Sequence, residues 1–129
     1  MINVWIPLNS EFEYFKDECK ALYEKVQDKI CDPNSFEFVT ENTYFYLFEK
    51  KGKLIGAAYF FIDEDEKLFV NGFGNRKMHK ECLECLKMSL KWFKGSIYAE
   101  AQNRASALLL LRSGFKRVRG KLFCYDSIS

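Results

Sequence analysis

Hydrophobic positions along the chain change their period several times, and each change marks an element. Ile2–Ile6 carries the β-formers Ile2, Val4, Trp5 and Ile6 and stops at Pro7, which predicts a short first strand. Phe12, Phe15, Cys19, Leu22, Val26 and Ile30 then recur at steps of three or four, the buried stripe of an amphipathic helix. Asn9 or Ser10 can cap its start, and Ser10-x-x-Glu13 has capping-box spacing. Asp32-Pro33-Asn34-Ser35 ends it, because proline disfavours helix in the residue before it.

Three strand-like runs follow. Tyr44–Phe48 is separated from Leu54–Ile62 by the turn Lys50-Lys51-Gly52-Lys53, and Asp63-Glu64-Asp65-Glu66-Lys67 connects Leu54–Ile62 to Leu68–Val70 and Asn71-Gly72-Phe73-Gly74. Connectors this short predict an antiparallel meander. The period then returns to helical, with Leu83, Leu86, Leu90 and Phe93 as the stripe and Cys82, Cys85, Ser89 and Trp92 as its flank, up to Gly95. Ser96–Ala99 reads as a brief strand. Asn103 is placed to cap a helix over Arg104–Ser113 that Gly114 closes, and Phe115–Val118 and Leu122–Tyr125 flank a turn at Arg119-Gly120-Lys121. The order β-α-β-β-β-α-β-α-β-β predicts an α+β (α/β) fold, one domain over residues 1–129 around a mixed, mostly antiparallel sheet flanked by helices.

The charge pattern adds to this picture. Residues 1–75 hold eight Lys/Arg against fourteen Asp/Glu, whereas residues 76–121 hold twelve against three. Either the second half meets an anionic partner or the two halves neutralise one another in the fold. The longest apolar stretches, around Leu54–Ile62 and Ala105–Leu111, fall short of the ~20 residues that cross a bilayer. Met1–Pro7 has no basic segment of the signal-peptide kind, so we expect a soluble, cytoplasmic protein with no membrane partner. Five cysteines make an odd count and point to reduced thiols.

Cys82-x-x-Cys85, with His79 three residues earlier, lacks the second ligand pair that a closed zinc site needs, and we expect core packing and no metal. No orienting third group makes a nucleophilic Cys-His pair either. The four acids of Asp63–Glu66 read as a solvated hairpin tip, and their spacing does not fit a calcium loop. Arg76-Lys77 is different. It puts two cations beside a helix N-terminus, where the macrodipole opposes them unless an anion is bound, and glycines precede it. That outlines a phosphate site.

The most specific segment is Ala99-Glu100-Ala101-Gln102-Asn103-Arg104-Ala105-Ser106-Ala107-Leu108-Leu109-Leu110-Leu111-Arg112-Ser113-Gly114-Phe115. It resembles the C-terminal signature of GNAT-family acyl-CoA N-acyltransferases, roughly Asn-x-x-Ala…Tyr…Gly-Phe, and the element order agrees over nearly the whole chain. A second short helix that many members carry is reduced, on this comparison, to the Asp32–Phe38 region. The resemblance implies acetyl-CoA as cosubstrate, no metal, and a cleft where the fourth and fifth strands splay apart. Mapped onto this chain, the fourth strand is Leu68–Asn71 and the pyrophosphate loop is Gly72–His79. The cofactor-binding candidates so implied are Val70, Asn71, Arg76, Lys77 and Asn103.

The chain departs from the family pattern at two places. In the loop pattern Gln/Arg-x-x-Gly-x-Gly/Ala, a start at Arg76 puts His79 and Glu81 at the glycine positions, and a start at Asn75 puts Met78 and Lys80 there. The frequent general-acid tyrosine is replaced by Leu110. Catalytic residues therefore stay unassigned, with Glu100, just beyond the fifth strand, a candidate base and Tyr98 and Tyr125 candidate proton donors. The first functional expectation is acetyl transfer from acetyl-CoA to a small-molecule or peptide amine by direct attack. The alternative is a catalytically degenerate GNAT-fold binding or structural module, such as a phage-type virion-associated protein. Nucleic-acid binding ranks third, because Trp92 and Phe93 occupy core-helix positions rather than a stacking face. Tyr44, Phe45, Tyr46 and Phe48 put aromatics on both faces of one strand, which leaves a homodimer interface open.

Overall fold

The computed structural model describes residues 1–127. The elements are β1 (Asn3–Trp5), α1 (Ser10–Val26), α2 (Phe36–Asn42), β2 (Tyr44–Lys50), β3 (Lys53–Ile62), β4 (Leu68–Gly74), α3 (His79–Leu90), β5 (Gly95–Glu100), α4 (Arg104–Ser113), β6 (Lys116–Arg119) and β7 (Leu122–Ser127). Their strands form one sheet in the order β1-β2-β3-β4-β5-β7-β6. Every neighbouring pair is antiparallel except β4 with β5.

Strand alternation gives the sheet two buried faces. On one face, Phe12, Phe15, Cys19 and Tyr23 of α1 and Phe36 and Val39 of α2 pack on Phe45, Leu47, Ala57 and Tyr59. On the other, Cys85 and Leu90 of α3 and Leu110 of α4 pack on Phe48, Ile55, Phe60, Val70, Ile97 and Phe123. The order, apart from the added α2, and the mixed, mostly antiparallel sheet are those expected from the sequence.

Several boundaries differ. The first helix ends at Val26 rather than near Ile30, and Cys31 at φ 52° turns the chain, while Ile30 still packs on the α1 core. The short second helix starts later than Asp32, where Ser35 Oγ accepts from the Phe38 amide. Its buried face is only Phe36 and Val39, too brief for periodicity to reveal. In α3 the buried positions are Cys85 and Ser89 from the expected flank and Leu90 from the expected stripe, and the helix stops before Phe93. Leu83 and Leu86 stay half-exposed because they border an opening described below. The ends of α4 match expectation. Asn103 Oδ1 accepts from the Ser106 amide at 2.9 Å in a capping box, and Gly114 closes the helix at φ 107°, in the left-handed region. On β2, Phe45 and Phe48 are buried, Tyr46 is half-buried and Tyr44 is exposed.

Candidate active site

The site begins where β4 and β5 part. Their parallel ladder holds only two pairs, Leu68 with Ile97 and Phe69 with Tyr98. From Val70 onward β4 stays paired to β3 as far as Gly74, while Ala99 and Glu100 of β5 stay paired to β7. The edge of β4 that faces β5 is thus left with backbone donors and acceptors to offer.

A cleft of about 490 Å³ opens on the α3–α4 side of this gap. Ile55, Ala58 and Val70 floor it, Cys82, Leu83 and Leu86 of α3 form one wall, and Leu109 and Leu110 of α4 form the other. Arg76, His79 and Arg112 bring polar groups to it. The loop before α3 is Asn75–Met78, shorter than the expected Gly72–His79, because Gly72 and Gly74 belong to β4. Asn75 pins this loop. Its amide donates to Ile55 O, its side-chain oxygen accepts from the Lys77 amide, and its carbonyl accepts from the Met78 amide. Met78, at the N-cap of α3, provides no side-chain cap, so the first-turn amides remain available to an anion. Gly74 is required by close approach, since a Cβ there would lie 2.5 Å from Cys82 Sγ.

A second cavity, of about 440 Å³, lies on the opposite face of the sheet, under the segment joining α1 to α2. Asp32 is fixed there. Tyr59 Oη donates to its Oδ2 at 2.6 Å and the Asn34 amide donates to its Oδ1 at 3.0 Å. Gln27 donates to the Asp32 and Asn34 carbonyls, and Tyr23 Oη donates to the Asn34 carbonyl at 2.7 Å. Burial, followed by the bond to Asp32, pushes the Tyr59 phenol far above the ordinary tyrosine range, so it stays a protonated donor. Val70, Asn71 and Glu100 line both cavities. Val70 belongs to the core on the α3–α4 face, and by strand alternation Asn71 projects to the opposite one. The gap between β4 and β5 therefore lies between a largely apolar cleft and a cavity carrying carboxylates. A third, open cavity by the β6–β7 turn shares Phe69 and Glu100 with the second.

The sequence candidates fall as follows. Val70, Asn71 and Arg76 line the first cleft; Lys77 and Asn103 do not, Lys77 being exposed in the loop and Asn103 engaged in capping α4. Glu100 is the last residue of β5 rather than beyond it. Leu110 is buried and lines the cleft at the family's tyrosine position. Neither candidate donor reaches this cleft. Tyr98 lies beside Phe69 with Lys67 Nζ 5.2 Å over its ring, and Tyr125 packs on Phe115. Cys85 is buried, which pushes its thiol up to about 12, and the Cys82 thiol is raised by the same cause. Neither is poised as a nucleophile. Asp63 Oδ1 accepts from the Asp65 and Lys67 amides, so the acidic run is a self-capped turn. The Asp32–Tyr59 pair went unread in the sequence, where Asp32 served only as a helix stop.

No family model and no curated protein matches the sequence. Solved structures match its shape. A GNAT-family acetyltransferase from Staphylococcus aureus Mu50 superposes with a TM-score of 0.64 at 12% identity, over 99% of this chain and 100% of that one. A ribosomal-protein alanine N-acetyltransferase from Escherichia coli gives 0.63 at 14% identity, over 100% and 96%. A Bacillus subtilis N-acetyltransferase solved in complex with coenzyme A gives 0.54 at 16% identity, over 98% and 97%. The chain has the fold of the GNAT acetyltransferases.

Proposed function

We propose that this protein transfers an acyl group, acetyl in the simplest case, from acyl-CoA to an amine by direct attack within a ternary complex. The observation that carries this reading is the parting of β4 and β5 after Phe69, beside which Val70, Asn71 and Glu100 border both the 490 Å³ cleft and the acidic cavity on the other face. The cleft suits acyl-CoA in its chemistry. Uncapped amides at the start of α3 and the Arg76 guanidinium match a pyrophosphate. The free edge of β4 matches the amides of an extended pantetheine arm, and Val70, Leu86 and Leu109 match its methylenes. The neighbour solved with coenzyme A has the same fold. The thioester supplies an acyl group already activated for transfer.

The remaining work falls to the chain's own residues. Asp32 and Glu100 attract and orient an ammonium in the second cavity. Glu100, at the gap, takes the proton that the amine must lose before it attacks. Holding amine and thioester on either side of one gap contributes through proximity, worth up to ~7–11 kcal/mol when well oriented. Use of acyl-CoA goes with a cytoplasmic location.

The test is calorimetric titration of acetyl-CoA and CoA at two salt concentrations, with wild type and Arg76→Ala. Micromolar binding that weakens with salt and with R76A is expected. No heat at millimolar ligand would overturn the reading and leave a GNAT-shaped module that binds something else. In turnover, Glu100→Gln is expected to lower kcat by ~10²–10⁴-fold with the acetyl-CoA affinity unchanged.

A further inference from the structure

The second cavity holds a selectivity device that the acyltransferase reading does not itself require. Phe61, Phe69 and Tyr98 stand side by side across β3, β4 and β5, since Phe61 pairs with Phe69 and Phe69 with Tyr98 in the sheet register. Phe61 and Phe69 are stacked at 5.9 Å with 14° between their planes, and Phe69 and Tyr98 are 5.7 Å apart. At the outer end of this row the protein already places a cation on a ring, Lys67 on Tyr98. Among the described residues no lysine or arginine lies over Phe61 or Phe69, and both rings line the second cavity.

The charged residues that line the second cavity itself are acidic. Asp32 and Glu100 line the cavity, and no lysine or arginine does. Asp32 is held by Tyr59 and Asn34 before any ligand arrives, so it accepts a further donor without reorganising. Aromatic faces and fixed carboxylates attract an alkylammonium. A carboxylate placed between Asp32 and Glu100 would meet two like charges. Lys67, Arg119 and Lys121 line the neighbouring open cavity, beyond Phe69 and Glu100, and Lys121 Nζ donates to Gln102 Oε1 at the border between the two.

Resting on the acyltransferase reading for which cavity receives the acceptor, we propose that the acceptor is an alkylammonium on an uncharged or further cationic stem, and that amines bearing a carboxylate on a short stem are rejected. Free diamines and lysine side chains share this chemistry.

The experiment compares 1,5-diaminopentane, an end-blocked lysine amide and 5-aminopentanoate as acceptors with saturating acetyl-CoA, read by thiol release and product mass. Each amine is also titrated into the protein with and without CoA. A kcat/KM at least about tenfold higher for the diamine or the blocked lysine than for 5-aminopentanoate is expected, and which of the two is better identifies the source. Asp32→Asn, which keeps an acceptor for Tyr59, is expected to raise the KM for the favoured amine severalfold and narrow the ratio, leaving the KM for acetyl-CoA unchanged. Phe69→Leu does the same without touching a charge.

Equal or reversed preference, with turnover intact, overturns the proposal and leaves the acyltransferase reading standing. Failure of acetyl-CoA to bind, with diamine heat that D32N abolishes, overturns the acyltransferase reading and leaves the cation site. The absence of both signals overturns both.

Discussion

Replacing Gly74 by alanine sets a methyl carbon 2.5 Å from Cys82 Sγ and 3.3 Å from Ile55 O. Favourable contacts of this kind lie near ~3.5–4.0 Å, so the sulfur contact is deep in the repulsive wall. Cys82 has little freedom to withdraw, because its Sγ sits 3.8 Å from both Ile55 O and Asn75 O at the foot of α3. Either the first turn of α3 moves off the sheet or β4 bends away. Such overpacking costs ~1–3 kcal/mol. A Gly→Ala change without a clash would instead stabilise by ~0.4–1 kcal/mol, through the unfolded chain, so the two cases differ in sign.

The Cys82 thiol is the specific obstacle, and a double-mutant cycle isolates it. With Cys82→Ala the new methyl would face Cβ of residue 82 at 3.8 Å, an ordinary contact. Urea unfolding followed by circular dichroism should give G74A a loss of ~1–3 kcal/mol in the wild-type background and ~0.5 kcal/mol or less in the C82A background, a coupling of at least ~1 kcal/mol. Acetyl-CoA affinity should fall with G74A and recover in the double variant, because α3 starts at the place where the pyrophosphate is proposed to sit. Equal effects of G74A in both backgrounds would refute the close-approach argument, and so would any stabilisation by G74A alone.

Three further outcomes follow from the same physics. Glu49, buried in β2, accepts from Asn3 Nδ2, Trp5 Nε1 and the Gly52 amide. Glu49→Gln turns one acceptor into a donor and should cost ~1–3 kcal/mol, with faster hydrogen exchange in β1. Asn103→Ala removes the side-chain half of the α4 capping box, the acceptor of the Ser106 amide, while the residue-103 amide still donates to Ser106 Oγ, and should cost ~1 kcal/mol in the same unfolding assay. Cys19 and Cys85 are held protonated up to about 12 by burial, while an unfolded thiol ionises near ~8.5. Across that window the unfolded state binds fewer protons than the folded one, so stability is full below the window and falls as pH rises through it, by ~1.4 kcal/mol per pH unit for each thiol. Urea midpoints between pH 8.5 and 11 should show this fall, and Cys19→Ala should flatten it.

What the sequence made legible was local. Asn103 and Gly114 announce the ends of α4 because a cap and a left-handed glycine act within one turn of chain. The meander was legible for the same reason, since short connectors force antiparallel pairing. The features that make the site join distant residues. The β4–β5 ladder stops after two pairs, where β4 continues along β3 and β5 along β7, an arrangement of four strands that no local stretch of sequence announces. Tyr59 reaches Asp32 across 27 positions, and the aromatic row draws single residues from three strands. The rotation of α3 was misread because periodicity weighs hydrophobicity alone. Leu83 and Leu86 are the more apolar pair, yet they face a cleft, while Cys85 and Ser89 are small enough to sit closest to the sheet.

The leucine at position 110 limits how the cleft can work without closing it. Among the described residues no tyrosine lines the cleft proposed for acyl-CoA, so on that reading no phenol there would protonate the departing sulfur. A general acid is worth ~10²–10⁴-fold, which is ~3–5.5 kcal/mol. Proximity across the β4–β5 gap is worth up to ~7–11 kcal/mol and does not depend on residue 110. On the proposed reading the larger contribution would come from the backbone, through the parting of two strands, and the smaller one is not supplied by residue 110. An alkyl thiol near pKa ~8.5 can leave as a thiolate close to neutral pH, whereas an alkylammonium near ~10.4 cannot attack until it gives up a proton. The step that most needs help is therefore on the amine side of the gap. In the proposed arrangement that is the side where the carboxylates of Asp32 and Glu100 line the cavity.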